Sequence, residues 1–327
     1  MWSSLKPIRV YLTLLPILLW LFFRLPLQAD QNTDKGITKF DTDSVTLFVL
    51  GTVQDGGSPH PGCNKSCCSR LFDHPDTNRM VVCLGLADHT NDKSWMMEAS
   101  PDFTRQVQFL SRYLSKPNLL PDGILLTHAH IGHYTGLMYL GKEAMNAKRL
   151  PIYTQPRMKN FLETNGPWSQ LVKLENIILM NPDSAFNLSR QISIKTIPVP
   201  HRDEYSETVA YWIEGPTKKA LFIPDIDKWE KWDRDIKALI RQVDYAFIDA
   251  TFYHTAEVNY RDIREIPHPF VSESLKYFQD LSSKDKNKIY FIHLNHTNPL
   301  LDPSSLESRD IQLRGYHVAR IGMNFNL

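Results

Sequence analysis

Short apolar runs rich in β-branched residues recur along the chain, bounded by turn residues, with helical periodicities between them. DSVTLFVLGT (43–52) predicts a first strand, and RMVVCLGLAD and SWMMEAS predict two more. In PDFTRQVQFLSRYL, Phe103, Val107, Leu110 and Leu114 fall on one helical face, with Pro101 near the first turn. DGILLTHAH predicts a buried strand running into a loop, and YTGLMYLGKEAM a helix after it. LPIYTQP and RMKNFLETN repeat that order. Farther on, QISIKTIPVPH, TVAYWIEG, KALFIPD, DYAFIDATFY and NKIYFIHLNH are strand-like runs, with WDRDIKALIRQV and SESLKYFQDL as helical stretches among them. Strands alternating with helices predict a layered α/β architecture. Several of these runs end on His or Asp, so loops from many strands would converge on one polar edge.

The first residues break the pattern. Lys6 and Arg9 precede the uncharged run VYLTLLPILLWLFF, and RLPLQAD then offers Ala29 before a polar stretch. As a helix that run would span about 21 Å, short of the ~30 Å hydrocarbon core, and Pro16 weakens it further. Residues 1–29 are therefore expected to be a signal peptide, or failing cleavage an N-terminal membrane anchor, with 30–42 as a linker and 43–327 as the working domain. Either way the body of the protein is expected to be exported, periplasmic or secreted. Among 327 residues, 42% are hydrophobic and 22% charged, which suits one domain with a large core. A net charge of +1 without a long basic block leaves no electrostatic footprint for nucleic acid. The expected partner is a small-molecule or short-peptide substrate, with membrane contact only through an uncleaved N-terminal segment.

The chemistry concentrates in THAHIGHYTGL, where His128, His130 and His133 follow the buried strand and precede the helix. A turn there lets neighbouring imidazoles converge on a cation about 2.0–2.1 Å from each nitrogen. The motif resembles the H-x-H-x-D-H signature of the metallo-β-lactamase superfamily, with Gly132 where that signature has aspartate. The resemblance implies a four-layer αββα sandwich with a metal centre at strand ends. It puts His128, His130 and His201 (in PVPHRD) around a first metal, and His133, Asp225 (in FIPDID) and His293 (in YFIHLNH) around a second, with Asp225 bridging. Without the aspartate, three outcomes stay open: one ion only, a weak second ion on His133, Asp225 and His293, or replacement by His296, Asp203 or Glu204.

The flanks EASPDFTRQ, IPHPFVSESL, FIHLNHTNPLL and GYHVARIGMNF resemble, in order, landmarks of the pyrroloquinoline quinone biosynthesis protein B family. His268 in IPHP matches one of them and would support a ligand or face substrate, as would His296. Asp249, at a strand end, would orient a ligand imidazole by accepting its second N–H. A separate loop, GTVQDGGSPHPGCNKSCC, gathers His60, Cys63, Cys67 and Cys68. Three thiolates and an imidazole would complete a structural Zn2+ site, and the resembling family carries a Cys-rich segment there. An oxidising compartment favours instead a disulfide from Cys63 to Cys67 or Cys68. Cys83, inside a strand, reads as a small buried hydrophobe.

Three functions follow. The first is metal-dependent hydrolysis of a small ester, amide or phosphoester with one or two Zn2+ ions, Asp225 serving the water and His133 and His293 holding a second ion or acting as acid–base groups. The second is an Fe2+-dependent oxygenase or hydroxylase like that implied by the biosynthesis family. The third is a non-catalytic secreted metal or ligand carrier.

Overall fold

A computed structural model describes residues 44–115, 119–258 and 266–327. The chain separates into a unit Met1–Thr38 and a unit Lys39–Leu327. The expected leader (1–29) and linker (30–42) lie outside the described residues. Among the described residues no helix is long and apolar enough to cross a membrane.

The first half of the larger unit supplies β1 (Val45–Gly51), β2 (Cys83–Asp88), β3 (Lys93–Met97), β4 (Gly123–Leu125), β5 (Leu150–Tyr153) and β6 (Ile177–Met180). The second half supplies β7 (Ala185–Asn187), β8 (Ser193–Pro198), β9 (Val209–Glu214), β10 (Lys219–Ile223), β11 (Tyr245–Asp249), β12 (Ile289–Ile292) and β13 (His317–Val318), before β14 (Asn324–Asn326) returns to the first sheet. The two 7-stranded sheets run β14-β1-β2-β3-β4-β5-β6 and β13-β12-β11-β10-β9-β8-β7. Each is antiparallel over one half and parallel over the other: β3 to β6 are mutually parallel, as are β10 to β13.

Strand periodicity sorts the side chains. Leu47, Val49, Leu84, Leu86 and Trp95 face Val209, Tyr211, Ile213, Phe222 and Phe247 between the sheets. Phe48 and Leu50 point the other way, onto Phe103, Val107 and Leu110 of α2, the helices of this half being α1 (Ser69–Asp73), α2 (Phe103–Ser111), α3 (Ile131–Tyr134), α4 (Pro156–Thr164) and α5 (Trp168–Lys173). On the far side Leu221, Ile223, Ile248 and Phe291 pack with Ile236, Ile240, Val271 and Ile311 from α6 (Ile236–Gln242), α7 (Val271–Tyr277) and α9 (Leu306–Leu313), with α8 (Ser283–Lys286) among them. The result is the expected αββα sandwich. Each fully buried Leu or Phe contributes roughly 1.5–3 kcal/mol, enough to hold polar groups at the sheet edge in place.

The helix expected over YTGLMYLGKEAM is instead α3 followed by a 3-10 turn, Thr135–Leu140. Gly136 packs so close that an added Cβ would stand 2.2 Å from the Ser100 carbonyl oxygen, and the tighter coil follows that contact. The strands β6, β7, β13 and β14 and helix α5 are too short, at two to six residues, to show a clear period in the sequence.

Candidate metal centre

The C-terminal ends of β1, β3, β4, β8, β10, β11 and β12 lie along one edge, and the loops that leave them carry the polar residues. The loop after β4 is pinned across the sandwich. Tyr211 on β9 donates its buried hydroxyl to the Leu126 carbonyl at 2.6 Å, and Ala129 N–H donates to Ser206 Oγ at 2.8 Å. Residues 127–130 are thus fixed by the opposite sheet before any ligand is considered.

Asp225 belongs to three donor groups, one of them with Asp249, His268 and His293, and the other two carry the motif histidines. His128, His130, His201 and Asp225 form the first, and Asp55, His133, Asp225 and His293 the second, the ligand atoms in each lying within 4.8 Å of one another. In the first group Asp225 Oδ2 stands 3.4 Å from His128 Nε2 and 3.2 Å from His201 Nε2, and His201 Nε2 is 3.2 Å from His130 Nδ1. In the second, Asp55 Oδ1 stands 3.0 Å from His133 Nε2 and 3.3 Å from His293 Nε2. A tetrahedral ion 2.0–2.1 Å from each nitrogen would space its ligands about 3.3–3.4 Å apart, so the donors are already at ligand separation.

The far nitrogens of His128, His130, His201 and His293 are hydrogen-bonded, which sets the tautomer that faces inward. His128 Nδ1 lies 2.9 Å from Thr127 Oγ1, which donates at 2.6 Å to the buried Glu98. His293 Nδ1 lies 2.9 Å from Thr251 Oγ1, which donates at 2.7 Å to Asp249. The two threonine relays match, one from each sheet. His201 Nδ1 reaches Asp227 at 3.3 Å, His130 Nε2 reaches Glu204 at 3.1 Å, and His133 Nδ1 is 3.4 Å from Glu98 Oε1. Glu98 and His293 hold φ of 82° and 64°, left-handed backbone that a residue with a side chain adopts at a cost of about 1–3 kcal/mol. The tightly packed strands impose those turns and aim both side chains inward.

Inside the ring, His128 Nε2 and His133 Nε2 are buried without a hydrogen-bond partner. Orphaned buried polar atoms cost about 1–3 kcal/mol each, and a cation among them removes that cost. Burial opposes charge here, yet neighbours outweigh it. Asp225 is held well below the usual carboxylate range by His201 and His268, and Asp55 by His133 and His293. His201 is pushed up to about 9, Asp225 prevailing over burial, whereas burial and His133 push His128 well down. Carboxylates kept ionised beside inward lone pairs are a donor set that fits a divalent cation.

Every histidine expected at the centre is present: His128, His130, His133, His201 and His293, with Asp225 between the two groups. His268 supports Asp225, its Nδ1 lying 2.8 Å from Asp249 Oδ2 and 3.1 Å from Asp225 Oδ1. Asp249 orients His293 through Thr251 rather than directly, its own Oδ1 being 3.8 Å away. The replacements considered for the missing aspartate are engaged elsewhere. Glu204 sits outside His130, Asp203 Oδ1 accepts from Thr208 at 2.8 Å, and His296 faces the cysteines. The carboxylate at the second group is Asp55, from the QDGG turn that reads simply as a flexible loop. Its only sequence signal is an acid placed between a strand end and the cysteines. Glu98, Thr127, Asp227 and Thr251 were equally silent, since their roles depend on which nitrogen of a distant histidine they meet.

The cysteine loop corrects a second expectation. Cys63, Cys67, Cys68 and His296 form the donor group, and His60 stands outside it, stacked on the His296 ring with centroids 4.4 Å apart. The sulfurs of Cys63 and Cys67 are 3.8 Å apart, those of Cys67 and Cys68 3.9 Å, and His296 Nδ1 is 3.6 and 3.3 Å from Cys67 and Cys68. A tetrahedral zinc with bonds of 2.3 Å to sulfur and 2.0–2.1 Å to nitrogen implies about 3.8 Å and 3.6 Å. All four cysteines are free, so the disulfide alternative is not what the structure adopts. Burial and the neighbouring Cys63 push the Cys67 thiol up to about 12, so ionising it calls for a cation. A cavity of about 420 Å³ opens beside this cluster, lined by Cys67, Arg70, Arg79 and His296 among others, and none of the centre's histidines borders it.

A family described as the beta-lactamase superfamily domain matches residues 96–294. Coenzyme PQQ synthesis protein B of Nitrosococcus oceani is 27% identical over 86% of this chain and 99% of its own length. The zinc-bound PqqB structure from Methylobacterium extorquens superposes with a TM-score of 0.71 at 22% identity, over 86% of this chain and all of the other. A diphosphatase from the PhnP family gives a TM-score of 0.59 at 20% identity, over 86% of this chain and 97% of the other. Both structures share the fold.

Proposed function

The chain belongs to the beta-lactamase superfamily, in the branch similar to coenzyme PQQ synthesis protein B, and from that premise we propose that it is a metal-dependent hydrolase of a small ester, amide or phosphoester. The observation that carries the proposal is Asp225 standing between two donor groups, the ligand atoms of each lying within 4.8 Å of one another. Such a centre takes two cations, and paired cations flank both the attacking and the leaving oxygen of a displacement. His128, His130 and His201 would hold the first ion, and His133 and His293 the second, with Asp225 shared. Zinc is the ion assigned here, supplying Lewis acidity and a water ionised near neutral pH.

The chain's own groups do the rest. Asp225 keeps Oδ2 toward the donors because His268 stands at Oδ1, and from there it orients the water or takes its proton. Thr127 with Glu98, and Thr251 with Asp249, keep the Nδ1 protons of His128 and His293 out of the centre. The loop of Cys63, Cys67 and Cys68 with His296 is assigned a structural zinc. We also propose that residues 1–29 direct export, which cell fractionation and N-terminal sequencing of the mature protein check.

The donor set also supports a second reading. Imidazole and carboxylate ligands suit Fe2+ nearly as well as Zn2+, and the relatives are named for coenzyme PQQ synthesis. Protein purified without oxygen, assayed for metal content and then for turnover of ester, phosphodiester, lactam and thioester panels, separates the readings. Zinc with chelator-sensitive hydrolysis supports the proposal. Iron with substrate-dependent oxygen uptake favours the oxygenase, and metal binding without turnover a carrier.

A further inference from the structure

The space beside Gly132 is already taken. A Cβ added there would stand 2.4 Å from Asp55 Oδ1 and 2.6 Å from Asp55 Cα. The second of these is a clash with backbone, which no side-chain rotation relieves. Asp55 Oδ1 in turn is the carboxylate oxygen nearest His133 Nε2 and His293 Nε2, at 3.0 and 3.3 Å. We propose that Asp55 is the carboxylate ligand of the second cation position, carried in on a different loop. Its chain fills the volume that an aspartate at 132 would need, so the two positions exchange one function. This rests on the two-cation reading above.

The loop is held for that task at both ends. Val53 bridges to Val81 and to Leu294, Gln54 N–H donates to the Leu294 carbonyl at 2.9 Å, and Leu294 N–H donates to the Thr52 carbonyl at 2.8 Å. Asp55 is therefore registered against the residue that follows His293. Beyond it, Cys63, Cys67 and Cys68 meet His296, three residues further along the same segment. The Asp55 side chain is 13% exposed, and among the described residues its ion-pair partners are the two imidazoles. A nearly buried carboxylate that faces only imidazoles, at ligand spacing, is the arrangement a cation requires.

The test is a cobalt(II) titration of the metal-stripped full-length chain. Thiolate-bound cobalt has its own near-ultraviolet charge-transfer band, so the cysteine ion is counted apart from those at the histidines. Wild type is expected to take two ions at the histidines. D55N keeps the shape and should weaken the second ion by about 100-fold or more, above the loss caused by removing even an outer partner of a ligand. The first ion and the thiolate band should persist, which shows that the variant is folded. G132D should lower the melting temperature, and so should D55G/G132D, because the Cα of residue 55 still stands 2.6 Å from the added Cβ. The inference is overturned if D55N binds both ions as wild type does, or if G132D is as stable as wild type. Wild type holding fewer than two ions at the histidines would overturn the two-cation reading itself.

Discussion

The histidine centre and the cysteine cluster share a segment, His293 serving the first and His296 the second, yet they are built in opposite ways. The centre draws its donors from loops after β1, β4, β8, β10 and β12, and the far nitrogens of His128, His130, His201 and His293 meet fixed partners. The cluster draws three of four donors from one short loop, of which only Cys68 is buried. Five loops fixed by two sheets can hold ligand geometry without an ion. A single loop without strands cannot, so there the ion supplies the geometry. The fold makes the first site; the second site makes part of the fold.

The sharpest way to break this contrast is to remove Asp225. D225N leaves imidazoles from both groups facing one another around a lost charge, a change of about 3–5 kcal/mol for a broken buried pair. Metal affinity and any hydrolysis should fall by about 150- to 4,000-fold, while the circular dichroism spectrum stays. Calorimetric metal titration measures this, and unchanged affinity would remove the shared role of Asp225. The matching change on the other side is C68S. It should cost on the order of 2–3 kcal/mol, about 5–10 °C in melting temperature, with the histidine-bound metal retained. Equal melting temperatures for C68S and wild type would show that the loop stands without its ion.

Smaller effects sharpen the contrast. E98Q and D227N alter groups behind His128, His133 and His201, and each should weaken metal binding about 10- to 100-fold without changing stoichiometry. A stoichiometric loss instead would make them ligands. A separate effect concerns pH. In metal-free protein His201 is raised from 6.5 to about 9 by Asp225 acting against burial. A raised folded value means that the imidazolium adds stability fully below pH 6.5 and loses it as pH climbs through about 9. Thermal melts of the stripped protein should therefore fall over that window, and metal-loaded protein should stay flat. A stripped protein flat from pH 6.5 to 9 would mean that His201 is neutral throughout.

Much of this was legible along the chain. β-Branched runs marked the long strands, and the face of Phe103, Val107 and Leu110 marked α2. His128, His130, His133, His201, Asp225 and His293 stood out because each follows a buried run. Short edge strands such as β13 and β14 were silent, since two or three residues carry no period. Asp55 was silent for another reason: in sequence it is one acid beside two glycines, and its partners lie at 133 and 293. His60 illustrates the opposite error, near the cysteines along the chain and displaced from them in space by His296.

The sequence by itself determined the alternation of strands and helices, the edge where the loops gather and the residue types available to hold a cation, and the two-sheet sandwich followed from the resemblance of its histidine motif. Hydrophobic periodicity is local, and a strand end is visible as soon as its run stops. Only the tertiary structure decided which carboxylate stands in for the one absent at Gly132, which histidine joins the cysteines and which nitrogen of each imidazole faces inward. Those choices are set by distances between loops far apart along the chain and by what volume is already filled, and neither quantity has a local signature.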